Sequence, residues 1–294
     1  MKKTVIFSGV GCALITPFKD GAIDFSALKE LINIQIEGGT DAIVIGGTTG
    51  ECATLSDDER YRLFSFTRAH IGKRCKLIFG TGTNDTKAAV RHTMLASRIG
   101  CDGVLAVTPY YNKGTESGIV KHYLQIAEAS TVPVLLYNVP SRTGVNLATE
   151  SIGRLAEHEN IVGIKEASDS LDRYVSLASF GDELSLYAGN DTQLFTTLSL
   201  FGKGVISVIS NVYPRQVKEI YKRYIAGDRE GSLALQLRML PLASAMFKET
   251  NPAPVKYAVS RMGLCSGELR LPLAEVTDST KACVDKAMDA FERS

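Results

Sequence analysis

The chain contains the run Ile161-Val162-Gly163-Ile164-Lys165-Glu166-Ala167-Ser168, which begins apolar and carries a single amine. Its length and its β-branched residues predict a buried strand. Side chains alternate along a strand, so Ile161, Gly163 and Lys165 are expected on one face, with Gly163 leaving room beside the lysine. Burial disfavours an ammonium group and therefore makes a nucleophilic amine available near neutral pH. This run predicts either an imine-forming lysine or an ion-paired lysine at a strand end.

Seven further apolar runs, bounded by glycine and turn residues, predict a regular series of strands. Helix-like stretches at 25–37, 86–99 and 116–130 lie between them, and strands that alternate with helices form parallel sheets. Eight such units predict an α/β fold, the closed (β/α)8 TIM barrel. A doubly wound sheet is the alternative, but Gly80-Thr81-Gly82-Thr83 is too short a match to its Gly-x-Gly-x-x-Gly turn. The seven other predicted strands are 10–15, 42–46, 76–79, 103–107, 133–137, 184–188 and 204–209.

The strand pattern disappears after Asp228. The stretches 232–247, 254–262 and 277–292 have helical spacing, which predicts a C-terminal helical appendage. We therefore expect a catalytic barrel domain over residues 1–228 and a helical domain over residues 229–294.

Composition excludes several classes of protein. The chain has 294 residues, a formal net charge of +1 and no long basic run, which argues against partners such as nucleic acid or an anionic membrane. Six scattered cysteines form no Cys-x-x-Cys pair, and the apolar part of the start is too short for a signal-peptide core, so a reducing cytoplasm is expected. The four histidines are expected to be solvated helix residues, and no metal site is predicted; they are His70, His92, His122 and His158.

Polar side chains follow the predicted strands where a barrel gathers its catalytic groups. The second strand leads into Gly46-Gly47-Thr48-Thr49-Gly50-Glu51, a turn suited to a small anion, with an ordinary Gly-rich turn as the alternative. Tyr137 ends the fifth strand and is placed to exchange protons with Lys165. Arg142 follows shortly after. Its planar guanidinium group is suited to bind a carboxylate, and the alternative is an arginine of a surface loop without a role in binding. Tyr110-Tyr111 after the fourth strand is a weaker candidate.

Together these segments resemble the pyruvate-dependent class I aldolase and lyase superfamily, and within it the dihydrodipicolinate synthase family. The resemblance extends over nearly the whole chain. Its most discriminating feature is Arg142, which the sialic-acid lyase branch usually lacks. The matching segments are Gly47-Thr48-Thr49-Gly50-Glu51, Thr108-Pro109-Tyr110-Tyr111-Asn112, Tyr137-Asn138-Val139-Pro140-Ser141-Arg142-Thr143-Gly144, Gly163-Ile164-Lys165-Glu166, Gly204-Val205-Ile206-Ser207, Asn251-Pro252-Ala253-Pro254-Val255-Lys256 and Leu269-Arg270-Leu271-Pro272-Leu273.

The resemblance implies a Schiff-base condensation of pyruvate with L-aspartate 4-semialdehyde in the diaminopimelate and lysine pathway, with no cofactor. It implies that Lys165 is the nucleophile and that Tyr137 shuttles protons through Thr48 to Tyr111, which reaches a neighbouring subunit. The assembly implied is a homotetramer built from two tight dimers. The substrate contacts implied are Thr49 for the pyruvate carboxylate, Arg142 for the semialdehyde carboxylate, and the main chain of Gly189 and Ile206.

Two alternatives stay open at this point: a keto-sugar-acid aldolase of the N-acetylneuraminate lyase type, and a non-catalytic barrel.

The sequence also departs from relatives that bind lysine as an inhibitor. Asp57, Arg60 and Ala88 stand where those relatives have two histidines and a glutamate, although Asn84 and Tyr110 are retained. Without the glutamate an ammonium group lacks its ion-pair partner, so weak or no inhibition by lysine is expected.

Overall fold

Eight parallel strands close into a barrel in the computed structural model, which describes residues 2–293. Around the barrel the order is β1-β10-β9-β8-β7-β6-β5-β4, and β1 pairs with both β10 and β4. The predicted (β/α)8 barrel is thus confirmed. A short antiparallel hairpin, β2 and β3, was not predicted. The strands are β1 Gly9–Ala13, β2 Phe18–Lys19, β3 Ala22–Ile23, β4 Ala42–Ile45, β5 Lys76–Gly80, β6 Gly103–Val107, β7 Val134–Asn138, β8 Ile161–Glu166, β9 Ser185–Ala188 and β10 Gly204–Ser207.

Helices follow the barrel strands and cover the outside of the sheet. Their starts are set by short polar side chains, as at Asp24 and Asp85, each of which accepts two backbone N–H groups of the first turn. The helices are α1 Phe25–Glu37, α2 Asp57–Ile71, α3 Thr86–Ile99, α4 Glu116–Ala129, α5 Pro140–Thr143, α6 Thr149–Ala156, α7 Leu171–Ala178, α8 Leu194–Ser199, α9 Pro214–Ile225, α10 Arg229–Arg238, α11 Leu240–Met246, α12 Ala253–Arg261 and α13 Asp278–Glu292.

The interior of the barrel is filled by side chains, as expected for eight strands. Val44, Leu105, Leu135 and Ile206 belong to this inner cluster, and the aliphatic residues that alternate with them pack against the helices outside. Phe7 packs beneath the inner cluster: its ring stacks on Tyr187 with 4.6 Å between ring centres, and its carbonyl accepts the Tyr187 hydroxyl. The barrel interior is therefore a filled core without space for a ligand between the strands.

The face assigned to Ile161 by simple alternation is wrong. The pairing of β7 with β8 shifts register: Val134 pairs with Ile161, but Leu135 pairs with Gly163. This β-bulge places one extra residue, Val162, in the inner cluster and turns Ile161 to the outer one. Beyond the bulge, Lys165 pairs with Tyr137.

The last four helices follow the barrel, and the predicted helix 232–247 is two helices, α10 and α11. Pro241 is the second residue of α11, and proline has no N–H to continue the hydrogen bonds of the preceding helix. The division at residue 228 stays a prediction. Within residues 2–293 no helix has the length and apolarity needed to cross a membrane.

Candidate active site

Lys165 is the fifth residue of β8, and only 5% of its surface is exposed. Its neighbours across the sheet are Tyr137 on β7 and Tyr187 on β9. The lysine Nζ lies 4.3 Å from the centre of the Tyr137 ring. The parallel register thus brings a nucleophile and a phenol, predicted separately at two strand ends, into contact.

A cavity of about 800 Å³ lies above this pair, at the carboxyl ends of the strands. Residues after β4, β7, β8, β9 and β10 contribute to its wall, and 243–251 close it from the side of the appendage. Six of the eight predicted site residues line it: Thr48, Thr49, Tyr137, Arg142, Lys165 and Gly189.

The turn after β4 holds both threonines at the cavity. Gly46 and Glu51 frame it with positive φ angles of 66° and 54°, so the chain reverses within a few residues. The N–H groups of Gly50 and Glu51 close the turn on the carbonyls of Gly47 and Thr48, at 3.1 and 3.0 Å. Thr48 lies at the cavity wall with the buried Thr49 beside it.

The turn is also fixed from below by a buried ion pair. Glu51 and Lys256 are both inaccessible to solvent, and Glu51 Oε1 lies 2.5 Å from Lys256 Nζ. The other carboxylate oxygen accepts the backbone N–H of Arg270 at 3.0 Å. Two cations lie against the ring of Phe18, since Lys256 Nζ and Arg270 Cζ are each 4.2 Å from its centre. The appendage therefore anchors the threonine turn to the barrel.

Arg142 lies in α5, a single turn that follows β7. Its Nη2 donates to the carbonyl oxygen of Asn251 at 2.6 Å. The side-chain Nδ2 of Asn251 donates to Thr49 Oγ1 at 3.0 Å, across 202 residues of sequence. One residue of the appendage therefore connects the two groups that were predicted to hold carboxylates.

Gly189 follows β9 and can only be glycine. A Cβ atom at this position would lie 2.5 Å from Ala167 Cβ and 2.7 Å from the carbonyl oxygen of Glu166. Its N–H donates to that same carbonyl at 2.6 Å. The missing side chain lets the chain after β9 approach the chain after β8 closely at the cavity wall.

Two predicted residues are not brought to the cavity wall. Ile206 lies on β10, fully buried in the inner cluster. Tyr111 lies in the loop between β6 and α4 with a positive φ of 69°, and 88% of its surface is exposed. An exposed tyrosine of this kind is compatible with a role in a neighbouring subunit, which stays a prediction.

Asp191 and Asn251 line the cavity and were missed as site residues. Both oxygens of the Asp191 carboxylate are used: the Ser207 hydroxyl donates to one, and the N–H groups of Val208 and Ile209 donate to the other at 2.9 and 3.2 Å. Burial raises the pKa of Asp191, and these hydrogen bonds oppose the increase. Its position two residues after Gly189 was a usable signal, whereas Asn251, although it begins a segment that matches the family, carries no local signal of a place at the cavity.

The expectation of four solvated histidines is wrong for His92 and His122, which are buried. His92 Nε2 lies 2.9 Å from Asp57 Oδ1, and His122 Nδ1 lies 2.9 Å from Thr86 Oγ1. Burial lowers the pKa of both, that of His122 to about 4. The two histidines lie on the faces of α3 and α4 that pack against neighbouring helices, and the spacing of residues within one helix does not reveal which face is covered. Among residues 2–293 no group of three potential metal ligands converges.

Known proteins match this chain along nearly its whole length. The model of the dihydrodipicolinate synthetase family matches residues 6–291. The 4-hydroxy-tetrahydrodipicolinate synthase of Clostridium novyi (strain NT) is 42% identical over 290 residues, 98% of each chain. That of Geotalea uraniireducens (strain Rf4) is 46% identical over 277 residues, 94% of this chain and 96% of the relative.

The solved structures lead to the same family. The dihydrodipicolinate synthase of Thermotoga maritima superposes with a TM-score of 0.96 at 39% identity, over 98% of this chain and 99% of that one. The expected resemblance is therefore confirmed in sequence and in fold. With its barrel, its rim cavity and these matches, the chain belongs to the dihydrodipicolinate synthetase family.

Proposed function

We propose that this chain is a lyase that condenses pyruvate with L-aspartate 4-semialdehyde to 4-hydroxy-tetrahydrodipicolinate, the activity named for its relatives. The observation that carries the proposal is the buried Lys165 amine, 4.3 Å from the Tyr137 ring centre, at the base of a cavity that Arg142 also lines. An amine, a phenol and a guanidinium provide a nucleophile, a proton carrier and a carboxylate receptor in one space.

The first half of the reaction uses Lys165 and Tyr137. The neutral amine attacks the pyruvate ketone, and loss of water gives an imine in which nitrogen accepts electrons from the adjacent methyl carbon. Tyr137 carries protons during the addition and the loss of water. Thr49 holds the pyruvate carboxylate, and its side chain is oriented for this by Asn251. Removal of a methyl proton then yields an enamine.

The second half uses Arg142. The enamine carbon attacks the aldehyde carbon of the semialdehyde, forming the new C–C bond and regenerating the imine, while the aldehyde oxygen takes a proton carried by Tyr137 and becomes the hydroxyl of the product. The substrate amine then adds to the imine carbon and expels Lys165, closing the ring and restoring the free lysine. Arg142 receives the semialdehyde carboxylate, and its bond to the Asn251 carbonyl limits the directions in which the guanidinium can point.

The proton path beyond Tyr137 is proposed to continue through Thr48 to Tyr111 of a neighbouring subunit. The exposed position of Tyr111 supports this, because the residue has no role at the cavity of its own chain. A homotetramer of two tight dimers would provide such a neighbour. Leu171 and Val175 on α7 and Phe201 are large, exposed apolar side chains that suit further contacts between subunits.

A trapped imine tests the nucleophile. Borohydride reduction in the presence of pyruvate should leave a stable mass adduct on Lys165, located by peptide mapping. Lys256 is a matched control within the chain: it is equally buried, but its ion pair with Glu51 keeps the amine engaged, so it should carry no adduct. An adduct that is absent, or that maps elsewhere, contradicts the proposal.

The second substrate is tested through Arg142. R142A should lower kcat/KM for the semialdehyde about 10- to 100-fold, the usual effect of losing a charged hydrogen bond of about 1.5–3 kcal/mol. Imine trapping with pyruvate should stay close to that of the unaltered chain. R142K keeps the charge without the fork and should fall between the two. Equal loss of both steps contradicts the assigned role, and turnover of sialic acid or ketodeoxygluconate instead would favour the keto-sugar-acid aldolase.

A further inference from the structure

A buried polar cluster lies on the outer side of the strands that carry the nucleophile and the phenol. Asn138 directly follows Tyr137 on β7, and Glu166 directly follows Lys165 on β8. Because side chains alternate, the catalytic pair points into the barrel rim and the following pair points outward. Asn138 and Glu166 pair in register, and neither is exposed to solvent.

Each polar side-chain atom of this pair has a hydrogen-bond partner. Asn138 Nδ2 donates to both Glu166 carboxylate oxygens, at 2.9 and 3.0 Å, and to Asn146 Oδ1 at 2.8 Å. Glu166 Oε1 also accepts the Ser168 N–H at 2.9 Å, and Oε2 accepts Arg173 Nε at 3.2 Å. Asn138 Oδ1 accepts the Leu147 N–H at 3.1 Å. All the partners of the carboxylate are donors, so both of its oxygens act as acceptors.

The position of this cluster is unusual for its chemistry. The neighbouring outward side chains of these strands, Leu136 and Ile164, belong to the aliphatic outer cluster. A buried ion pair is rarely more stabilising than apolar side chains of the same volume, because both charges lose their hydration. Such groups are best explained by specificity: they allow one arrangement and penalise its neighbours.

The arrangement at stake is the register of β7 against β8. These strands carry the bulge at Val162, so pairing before the bulge does not dictate pairing after it. A slip of one residue would turn Lys165 to the outer face and Glu166 into the barrel. The Asn138–Glu166 pair lies immediately after Lys165, at the end of the segment that could slip.

We propose that Glu166 and Asn138, braced by Arg173, are positioning residues that fix the register of the bulged strand pair and thereby hold Lys165 against Tyr137. This inference rests on the proposed function, in which Lys165 forms the imine and Tyr137 carries its protons. Neither Glu166 nor Asn138 touches substrate in this role.

The test replaces the carboxylate by its isosteric amide. In E166Q an NH2 group replaces one of the two oxygens that accept hydrogen bonds. On one side it would meet the N–H of Ser168 and on the other that of Arg173, so a donor faces a donor in either orientation. Displacement of a reacting group by about 1 Å costs about 100-fold in rate. We expect borohydride trapping of pyruvate on Lys165 to be 10- to 100-fold slower at saturating pyruvate, with the circular dichroism spectrum unchanged.

A reciprocal exchange separates positioning from general loss of stability. N138D alone sets two carboxylates against each other and should trap at least as slowly as E166Q. N138D/E166Q restores a donor facing an acceptor between the two side chains, although the glutamine NH2 group still meets the N–H of Ser168 or of Arg173, and it should trap at least tenfold faster than N138D. The matched control is D102N, which alters a carboxylate bound to the Leu77 N–H and Lys76 at the amino end of the barrel and should change the rate less than twofold.

The outcomes distinguish this inference from the function on which it rests. An unaltered chain that traps no pyruvate overturns the proposed function. A chain that traps normally, together with a folded E166Q that traps equally fast, overturns only the positioning role, as does a double variant no faster than N138D. If E166Q does not fold, R173K takes its place in the test. This variant keeps a cation beside Glu166 but loses the guanidinium contacts to Leu147 and Thr149, so trapping should be slower. Trapping at the unaltered rate would refute the inference.

Discussion

Replacing Lys256 by methionine should destabilise the whole chain, because it leaves the Glu51 carboxylate buried without its cation. Neither partner of this pair is accessible to solvent. Removing one partner of a buried ion pair typically costs about 3–5 kcal/mol, whereas replacing both by neutral groups is often close to neutral. We therefore expect K256M to lower the free energy of unfolding by about 3–5 kcal/mol, and E51Q/K256M to recover most of that loss.

The pair also supports the turn that carries Thr48 and Thr49, so K256M should slow imine trapping as well. In E51Q/K256M the glutamine oxygen still accepts the Arg270 N–H, which retains part of the anchor. Destabilisation of this size corresponds to a fall in melting temperature of about 5–8 °C for a chain of this length. Thermal melts and urea unfolding at one fixed protein concentration measure both quantities, since subunit association also contributes to stability.

A surface pair provides the control. Lys281 lies 3.3 Å from Glu275, whose side chain is 82% exposed, so K281M should change stability by no more than about 1 kcal/mol. The reasoning fails if K256M costs no more than K281M. It also fails if the double variant is as unstable as K256M, because the loss would then come from packing around the lysine stem and not from the stranded carboxylate.

Three further predictions address the rim, regulation and titration. G189A should reduce activity and destabilise the chain by about 1–3 kcal/mol, since its Cβ would overlap Ala167, whereas G118A in α4, whose Cβ would make only an ordinary contact with Thr115, should leave activity unchanged. Millimolar lysine should inhibit weakly or not at all, because Ala88 provides no carboxylate for its ammonium group, the buried Arg60 donates to the Cys52 carbonyl and Asp57 is engaged by His92; half-inhibition in the coupled assay would contradict this. His122 should titrate near pH 4 when followed by NMR. Because folding lowers its pKa, its contribution to the free energy of unfolding should be lost as the pH falls from about 6.5 towards 4. H122Q should therefore lose less stability than the unaltered chain over that pH range.

The local chemistry of the site could be predicted because it follows from short-range pattern. An apolar strand that ends on a lysine, a tyrosine at the end of the preceding strand and an arginine just beyond it are all visible in sequence. Parallel strands place their carboxyl ends at one rim, so a correct strand count was enough to bring Lys165, Tyr137 and Thr49 together.

The bulge at Val162 and the partners of Asn251 could not be predicted, for two different reasons. Period-two alternation assumes an unbroken ladder, so one inserted residue reverses the assignment of every residue before it, as it did for Ile161. Asn251 meets Thr49 across 202 residues, and nothing local to either residue specifies that contact. The buried histidines were missed likewise, since spacing within one helix does not reveal what packs against it.

The sequence by itself determined the barrel, the lysine proposed as nucleophile and the kinds of groups around it, because these depend on alternation, turn chemistry and side-chain type. Only the tertiary structure decided how those groups are held. The appendage reaches back to brace Thr49 and Arg142 through Asn251, and the Asn138–Glu166 pair sits behind Tyr137 and Lys165. Both depend on contacts between distant segments, which form only when the strands close into a barrel and the last helices pack against its rim.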